Sequence, residues 1–150
     1  MESCGVAVTT DLSLLSLATL VTRPGVSLYL TTERQIKARE SEIVGSDRRS
    51  VRAIIEDWRL LSLHRHDTDE SVVYLIGHVR GTHYTRVTSP VAQIDLAKGL
   101  VVTRNSLYSL GGKGDGEPNL RQLLAIVYIF DAWGIADALG MPRILIGGYE

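Results

Sequence analysis

The alternation of apolar and polar positions predicts a β-sheet in the middle of the chain. Short apolar or alternating runs recur from Arg59 onward, separated by polar or glycine-containing segments of the kind that form turns. Asp67–Glu70 and Leu96–Gly99 are two such turns, each flanked by segments of strand character. The predicted strands are 59–66, 72–76, 91–95, 100–103 and 106–110. We therefore expect a meander of four or five antiparallel strands within residues 59–110.

Helical spacing predicts two helices before this sheet. Thr31 or Thr32 can cap a helix over 33–40, a segment rich in good helix formers. Within 48–58, after a candidate cap at Ser46-Asp47, apolar residues recur at the helical spacing i, i+3, i+4, i+7. This spacing predicts a second helix with one buried stripe. The residues of the stripe are Val51, Ile54, Ile55 and Trp58.

The first 25 residues are expected to form a short helix or an N-terminal extension. Residues 12–21 are apolar enough to suggest the core of a signal peptide, but no Lys or Arg precedes them. The run is also shorter than the roughly 20 residues that span a bilayer. We therefore predict a short packed helix capped by Asp11, or a loosely held extension, followed by a short strand at Val26–Leu30.

A strongly apolar helix is predicted near the C-terminus, within 119–139. Asn119 is its candidate cap, and the residues from Leu120 to Trp133 are apolar on nearly every face. Such a helix must be buried, either in the core of its own domain or against a partner. Because a domain of 150 residues can hardly surround it, we expect a homo-oligomer. The candidate interface residues are Leu124, Val127, Tyr128, Phe130 and Trp133.

Composition indicates one globular α+β domain covering residues 1–150. Apolar residues make up 45% and charged residues 22%, and the net charge is −1. The single cysteine, Cys4, excludes an internal disulfide, so we expect a cytoplasmic protein without a membrane segment.

Basic and aromatic residues occur together in the predicted sheet. Arg80, Arg86 and Arg104 lie there, with Tyr84 and Tyr108 near them in sequence. Aromatic residues on a sheet with basic neighbours can bind single-stranded nucleic acid. The net charge near zero and the single Phe argue against this, so nucleic acid is not the expected partner.

The glycine-rich segment Gly111–Gly116 has two interpretations. It follows a predicted strand and precedes a helix, which is how phosphate-binding loops are built, but it lacks the spacing of a P-loop. A flexible connector is the simpler interpretation. The alternative is a site for a nucleotide or small molecule, in a protein that could be an enzyme. The residues of that site would be Arg104, Tyr108, Lys113 and Gly114.

No motif in the sequence marks a catalytic centre. His64 and His66 share one face of a predicted strand and could bind a metal, although a solvated strand end explains them as well. There is no Gly-x-Ser-x-Gly nucleophile motif. We therefore expect no catalytic residue, no bound metal and no cofactor.

A resemblance to a known group rests on residues in the middle third of the chain. They are Asp57-Trp58-Arg59, Gly77–Gly81, Thr88-Ser89-Pro90-Val91, Ile94-Asp95, Val102-Thr103 and Ser106–Gly111. This pattern resembles a group of small uncharacterised bacterial and phage-borne proteins. In that group a Gly-x-Val-x-Gly strand precedes Thr-Ser-Pro, and a Thr-x-x-Ser-x-Tyr-x-Leu-Gly strand follows. The resemblance implies a small antiparallel β unit from a phage or mobile element, and it brings no activity.

These observations favour a non-enzymatic function. We expect a regulatory or accessory protein that binds a protein partner, as a phage or mobile-element inhibitor of a host system would. The basis is the absence of a catalytic motif together with an apolar helix too large for its own domain.

Overall fold

The computed structural model describes residues 15–44 and 50–141, and these form a mixed sheet with helices packed against it. The helices are α1 (Leu17–Leu20), α2 (Glu33–Arg39), α3 (Leu120–Ala132) and α4 (Ala136–Leu139). The strands are β1 (Val26–Leu30), β2 (Val51–Arg65), β3 (Glu70–Val79), β4 (Thr85–Val87), β5 (Val91–Asp95), β6 (Leu100–Thr103) and β7 (Leu107–Leu110). The predicted α+β class is confirmed.

The strand order corrects the predicted antiparallel meander of four or five strands. Seven strands form one sheet in the order β4-β3-β2-β7-β6-β5, and β1 pairs with the C-terminal half of β2. β7 runs parallel to the N-terminal half of β2, with Val51 opposite Leu107. The sheet therefore extends from Val26 to Leu110, beyond the predicted range 59–110. Pairing between such distant segments leaves no local signal in the sequence.

Strand β2 replaces the helix that was predicted over 48–58. The chain bulges between Glu56 and Arg59, and Asp57 takes a left-handed φ of 52°. This extra residue shifts the alternation, so Ile55 and Trp58 point into the same core cluster although they are three positions apart. The bulge therefore explains the helix-like spacing of Ile55 and Trp58, whereas Val51, predicted on the same buried stripe, is 45% exposed.

Gly77 lies on β3 opposite the bulge. A Cβ atom at this position would overlap the Glu56 carbonyl oxygen and the side chain of Ile55. The backbone of the bulge can therefore approach β3 closely only because residue 77 has no side chain.

The sheet curls so that its two ends approach each other. β3 and β5 are in contact, and the backbone N–H of Thr88 donates to the Leu75 carbonyl at 2.9 Å. The inner face of the curl holds one core cluster, which includes Ile55, Trp58 and Tyr108. The other face packs against α1, α3 and α4 in a second cluster.

Several local predictions are confirmed. α2 begins after Thr32, whose side chain accepts a hydrogen bond from the Gln35 backbone. The hairpin of β5 and β6 has the predicted bounds, and α3 begins after Asn119. The predicted caps at Asp11 and at Ser46-Asp47 lie outside the described residues. Among the described helices, none is both long and apolar enough to cross a membrane.

Candidate binding groove

A wide groove lies between α3 and the curled sheet. Its floor and walls come from β4, the following turn Thr88–Pro90, the β6–β7 turn and one face of α3. Its volume is about 1510 Å³ and it is open to solvent. Sites for single small molecules usually measure about 300–1,000 Å³. The groove is therefore large enough for a segment of a chain-like ligand.

Four arginines from four different elements line this groove, which we call the arginine groove. Arg52 lies on β2, Arg86 on β4, Arg104 in the β6–β7 turn and Arg121 in the first turn of α3. The His83 imidazole also lines the groove. The lining contains no Asp or Glu among the described residues.

The groove arginines have few partners in the part of the chain that the structure describes. Arg86 donates to the Tyr108 hydroxyl and Arg121 to the His83 carbonyl, both at the long distance of 3.4 Å. Within the described ranges, none of the four forms an ion pair. By contrast, three arginines elsewhere pair with carboxylates: Arg59 with Asp57, Arg65 with Asp67 and Arg80 with Glu56. Among the residues that the structure describes, the groove thus concentrates positive charge that no carboxylate neutralises.

Three exposed aromatic side chains also line the arginine groove. Tyr84 is 71% exposed, Tyr128 is 42% exposed and Trp133 is 40% exposed. The indole of Trp133 stacks on Phe130, with the ring centroids 5.5 Å apart and the planes 27° apart. Tyr74 supports it from another side at 5.6 Å. Packing therefore holds Trp133 in place while leaving part of its ring available to a ligand.

Two tyrosines close the base of the groove. Tyr108 is buried apart from its access to the groove, and its hydroxyl accepts the bond from Arg86. Burial raises the pKa of the Tyr74 phenol above its usual value. Tyr74 is therefore neutral at physiological pH and adds no negative charge to the groove.

The glycine-rich segment lies elsewhere and is held against β2. Gly111 donates to the Ile55 carbonyl at 2.8 Å, and Gly114 donates to the Trp58 carbonyl at 2.9 Å. The Lys113 ammonium lies 5.8 Å from the centre of the Trp58 ring. These contacts correct the expectation of a flexible connector, because the segment continues the parallel pairing of β7 with β2 beyond the bulge.

Arg59 anchors the second half of this segment. Its Nε donates to the Gly116 carbonyl at 2.8 Å and its Nη2 to the Asp115 carbonyl at 2.7 Å. A Cβ atom on Gly114 would overlap the Arg59 guanidinium. Position 114 must be glycine because its backbone lies so close to the Arg59 guanidinium. A phosphate-binding role is therefore not needed to explain this glycine.

Glu56 anchors the first half of the segment. Its Oε1 accepts a 2.7 Å hydrogen bond from the Gly112 N–H, and its other oxygen pairs with Arg80. The Gly112 N–H, and secondarily Arg80, lower the pKa of Glu56 below its usual value. The carboxylate form is therefore the one that holds the loop.

The structure separates the residues that were predicted to bind a ligand. Arg104 and Tyr108 both line the arginine groove, whereas Lys113 and Gly114 lie beside Trp58 and are not part of its lining. Of the candidate interface residues, three line the groove and two are buried in the core of the chain. Those in the groove are Leu124, Tyr128 and Trp133, and those in the core are Val127 and Phe130.

Sequence reasoning missed Arg52 and Arg121 as residues of this site. Arg52 fell in a predicted helix, and Arg121 lies in the first turn of an otherwise apolar helix. One usable signal was the position of Arg121 itself. A cation in the first turn opposes the helix dipole, so its presence there suggests a role other than helix stability.

The histidine pair is explained by local hydrogen bonds. His64 bonds to Ser71 at 2.6 Å and lies 3.1 Å from Asp69, while His66 bonds to Ser27 at 2.7 Å. Within the described part of the chain, no group of three His, Cys, Asp or Glu residues could hold a metal ion.

Comparisons with known proteins found no match among family models, curated proteins or solved structures. The resemblance to small phage-borne proteins stays a prediction.

Proposed function

We propose that this protein is a binding protein that captures an anionic chain in the arginine groove. The observation that carries the proposal is a groove lined by four guanidinium groups, with neither an ion-pair partner for them nor a carboxylate in its lining among the described residues. Guanidinium groups present several N–H donors in a plane and bind phosphate or carboxylate oxygens in pairs. Four of them on one concave surface favour a ligand with repeated negative groups.

The placement of the arginines supports binding more than folding. Arg52, Arg104 and Arg121 are exposed, and their guanidinium groups stabilise no described carboxylate. Unneutralised like charges close together destabilise the free protein by mutual repulsion. An anionic ligand would relieve this repulsion, so the arrangement favours the bound state of the protein.

The expectation of a protein partner has its own supporting observation. Leu120 and Tyr128 on α3 and Trp133 at its C-cap are each at least 40% exposed, and all three line the groove with the arginines. An acidic protein segment with apolar side chains would satisfy both features. As the second proposal, the protein binds such a partner and thereby regulates or inhibits a host system.

The proposed ligand site at Gly111–Gly116 receives less support. The backbone groups that would cradle a phosphate already bond to Glu56 and β2, and Arg59 fills the space beside Gly114. A nucleotide there would have to displace these contacts.

The test is the retention of the full chain on immobilised heparin, a polyanion, at neutral pH. The groove variant is Arg52→Glu with Arg104→Glu. The control variant is Arg34→Glu with Arg65→Glu, which makes the same change in net charge at exposed sites outside the groove. We expect the groove variant to elute at clearly lower salt than the control, with both retaining the circular dichroism spectrum of the parent.

Two results would overturn the proposal. One is a parent protein that heparin does not retain at low salt, where screening is weak. The other is an equal loss of retention in both variants, because that would assign the interaction to overall charge and not to the groove.

A further inference from the structure

We infer that the anionic chain bound in the arginine groove is a single-stranded nucleic acid. This inference rests on the proposed function and names its ligand class. The phosphates would contact the groove arginines, and unpaired bases would stack on Tyr84, Tyr128 and Trp133. Arginines that follow the backbone, combined with aromatic rings for the bases, are the general features of single-strand recognition.

The exposed aromatic residues favour bases over other anionic ligands. Each exposed Tyr or Trp in the described ranges lies in the arginine groove. Of the large exposed aliphatic residues there, Leu120 lines the groove and four lie outside it, namely Val44, Val51, Val72 and Leu96. A plain polyanion such as a polyphosphate has nothing to stack on these rings. Trp133 is already supported from below by Phe130 and Tyr74, so a base can stack on it without ordering a flexible side chain.

The adjoining sheet edge is a poor site for an extended acidic peptide. Peptides of this kind commonly add a strand to a free sheet edge, where backbone hydrogen bonds supply the affinity. The edge beside the groove is β4, which has only three residues, Thr85–Val87, and α3 packs against it. Side chains, and not a strand edge, therefore have to hold the ligand.

The net charge of −1 does not conflict with this inference. Binding to phosphates depends on cations within about one Debye length, roughly 8–10 Å, so the local charge of the groove matters more than the sum over the chain. The sequence-based prediction that nucleic acid is not the partner relied in part on the net charge of the whole chain. It could not take account of four arginines that only the fold brings together.

The test is fluorescence anisotropy with labelled oligothymidine and oligouridine of about 20 nucleotides at low salt, using the full chain. The matching duplex and poly-L-glutamate serve as competitors. We expect both single strands to bind and to compete better than the duplex or poly-L-glutamate. Tyr84→Ala should weaken binding about 5-fold to 100-fold, the range expected for losing one base–aromatic stack.

Variants separate stacking from folding. Tyr84 is the most exposed of the three rings, so Tyr84→Ala should leave the thermal midpoint unchanged. Leu96→Ala is the matched control, an exposed apolar residue outside the groove, and should leave the affinity unchanged. Bound oligonucleotide should also quench the Trp133 fluorescence, and Trp133→Phe should remove this signal because Trp58 is buried.

The outcomes distinguish this inference from the proposed function. One result would overturn the inference but keep the proposed function. In that result, heparin retention depends on Arg52 and Arg104, but Tyr84→Ala does not weaken oligonucleotide binding. Stronger competition by poly-L-glutamate would also overturn the inference and would favour an acidic protein as the ligand. Stronger competition by the duplex would overturn it in favour of double-stranded nucleic acid. Failure of both heparin and oligonucleotides to bind would overturn both proposals.

Discussion

Arg59 Nη1 donates a 2.9 Å hydrogen bond to Gln122 Oε1, and both side chains are buried, with 7% and 1% of their surfaces exposed. Gln122 Nε2 donates in turn to the Asp57 carbonyl at 2.9 Å. These two bonds join the bulge of β2 to the first turn of α3. They therefore fix the position of the helix that forms one wall of the arginine groove.

Gln122→Ala should destabilise the protein by about 2–3 kcal/mol. The substitution removes a buried hydrogen bond to the charged Arg59 guanidinium and a second bond to the Asp57 carbonyl, while the mutual bond of these two groups at 3.2 Å remains. The bond to the charged group is worth about 1.5 kcal/mol or more and the other about 1 kcal/mol. The measurement is the free energy of unfolding in urea. Arg121→Ala, the exposed neighbour on the same helix, is the control and should change it by less than about 0.5 kcal/mol. Equal effects in the two variants would contradict the role of the buried bonds.

Gly114→Ala should destabilise the fold more than Gly112→Ala. A Cβ on Gly114 overlaps the Arg59 guanidinium, whereas a Cβ on Gly112 would be 3.4 Å from Glu56 Oε1. Overpacking of this kind costs about 1–3 kcal/mol. Thermal unfolding of the two variants measures the difference. A Gly114→Ala protein as stable as the parent would show that Arg59 moves aside easily, contrary to its four carbonyl and carboxamide contacts.

Glu56 should make the stability of the protein depend on pH in the acid range. Its pKa is lowered in the folded state, so the folded protein binds fewer protons than the unfolded chain. The stabilisation is therefore present above the ordinary value of 4.5 and is lost as the pH falls through the lower folded value.

Glu56→Gln provides the measurement of this effect. The difference in unfolding free energy between the parent and this variant should be largest at neutral pH and should shrink below about pH 4.5. Asp67 and Asp95 also have lowered pKa values, from their hydrogen bonds to Arg65 and to the Ile43 backbone respectively. Both carboxylates are retained in Glu56→Gln, so their contribution cancels in the difference between parent and variant. A difference that stays constant across this pH range would contradict the assignment.

The predicted homo-oligomer can be tested at α3. Tyr128 is exposed on the groove side of this helix, so Tyr128→Glu should convert an oligomer into a 16.5 kDa monomer in light scattering. Because the groove arginines lie beside this face, self-association through it should strengthen as salt rises and screens their repulsion. Binding of a polyanion should weaken under the same change. A parent protein that is a monomer at every salt concentration would contradict the predicted oligomer.

The local elements were predictable because their signals lie in neighbouring residues. Asn119 caps α3 and bonds to the Gln122 backbone at 2.9 Å, as the pattern after Pro118 indicated. The turn between β5 and β6 is similarly marked by Gly99, which has a φ of 66°. Such features depend on steric and hydrogen-bonding preferences over a few residues.

The segment around Trp58 shows where this kind of reasoning fails. Its apolar spacing matched a helix, but the β-branched residues Val51, Ile54 and Ile55 are also typical of a strand. The bulge at Asp57 places Ile55 and Trp58 in one core cluster although they are three positions apart, as they would be on one face of a helix. The partner that decides between the two is β7, more than 50 positions later in the chain.

The sequence by itself determined the α+β class, the caps of α2 and α3, the turn between β5 and β6, and the apolar character of α3. The tertiary structure alone decided the parallel contact of β2 with β7, the anchoring of Gly111–Gly116 and the meeting of four arginines in one groove. The physical reason is the range of the interactions. Backbone preferences act between neighbours, whereas the charge of a groove depends on which distant segments the closure of the sheet brings together.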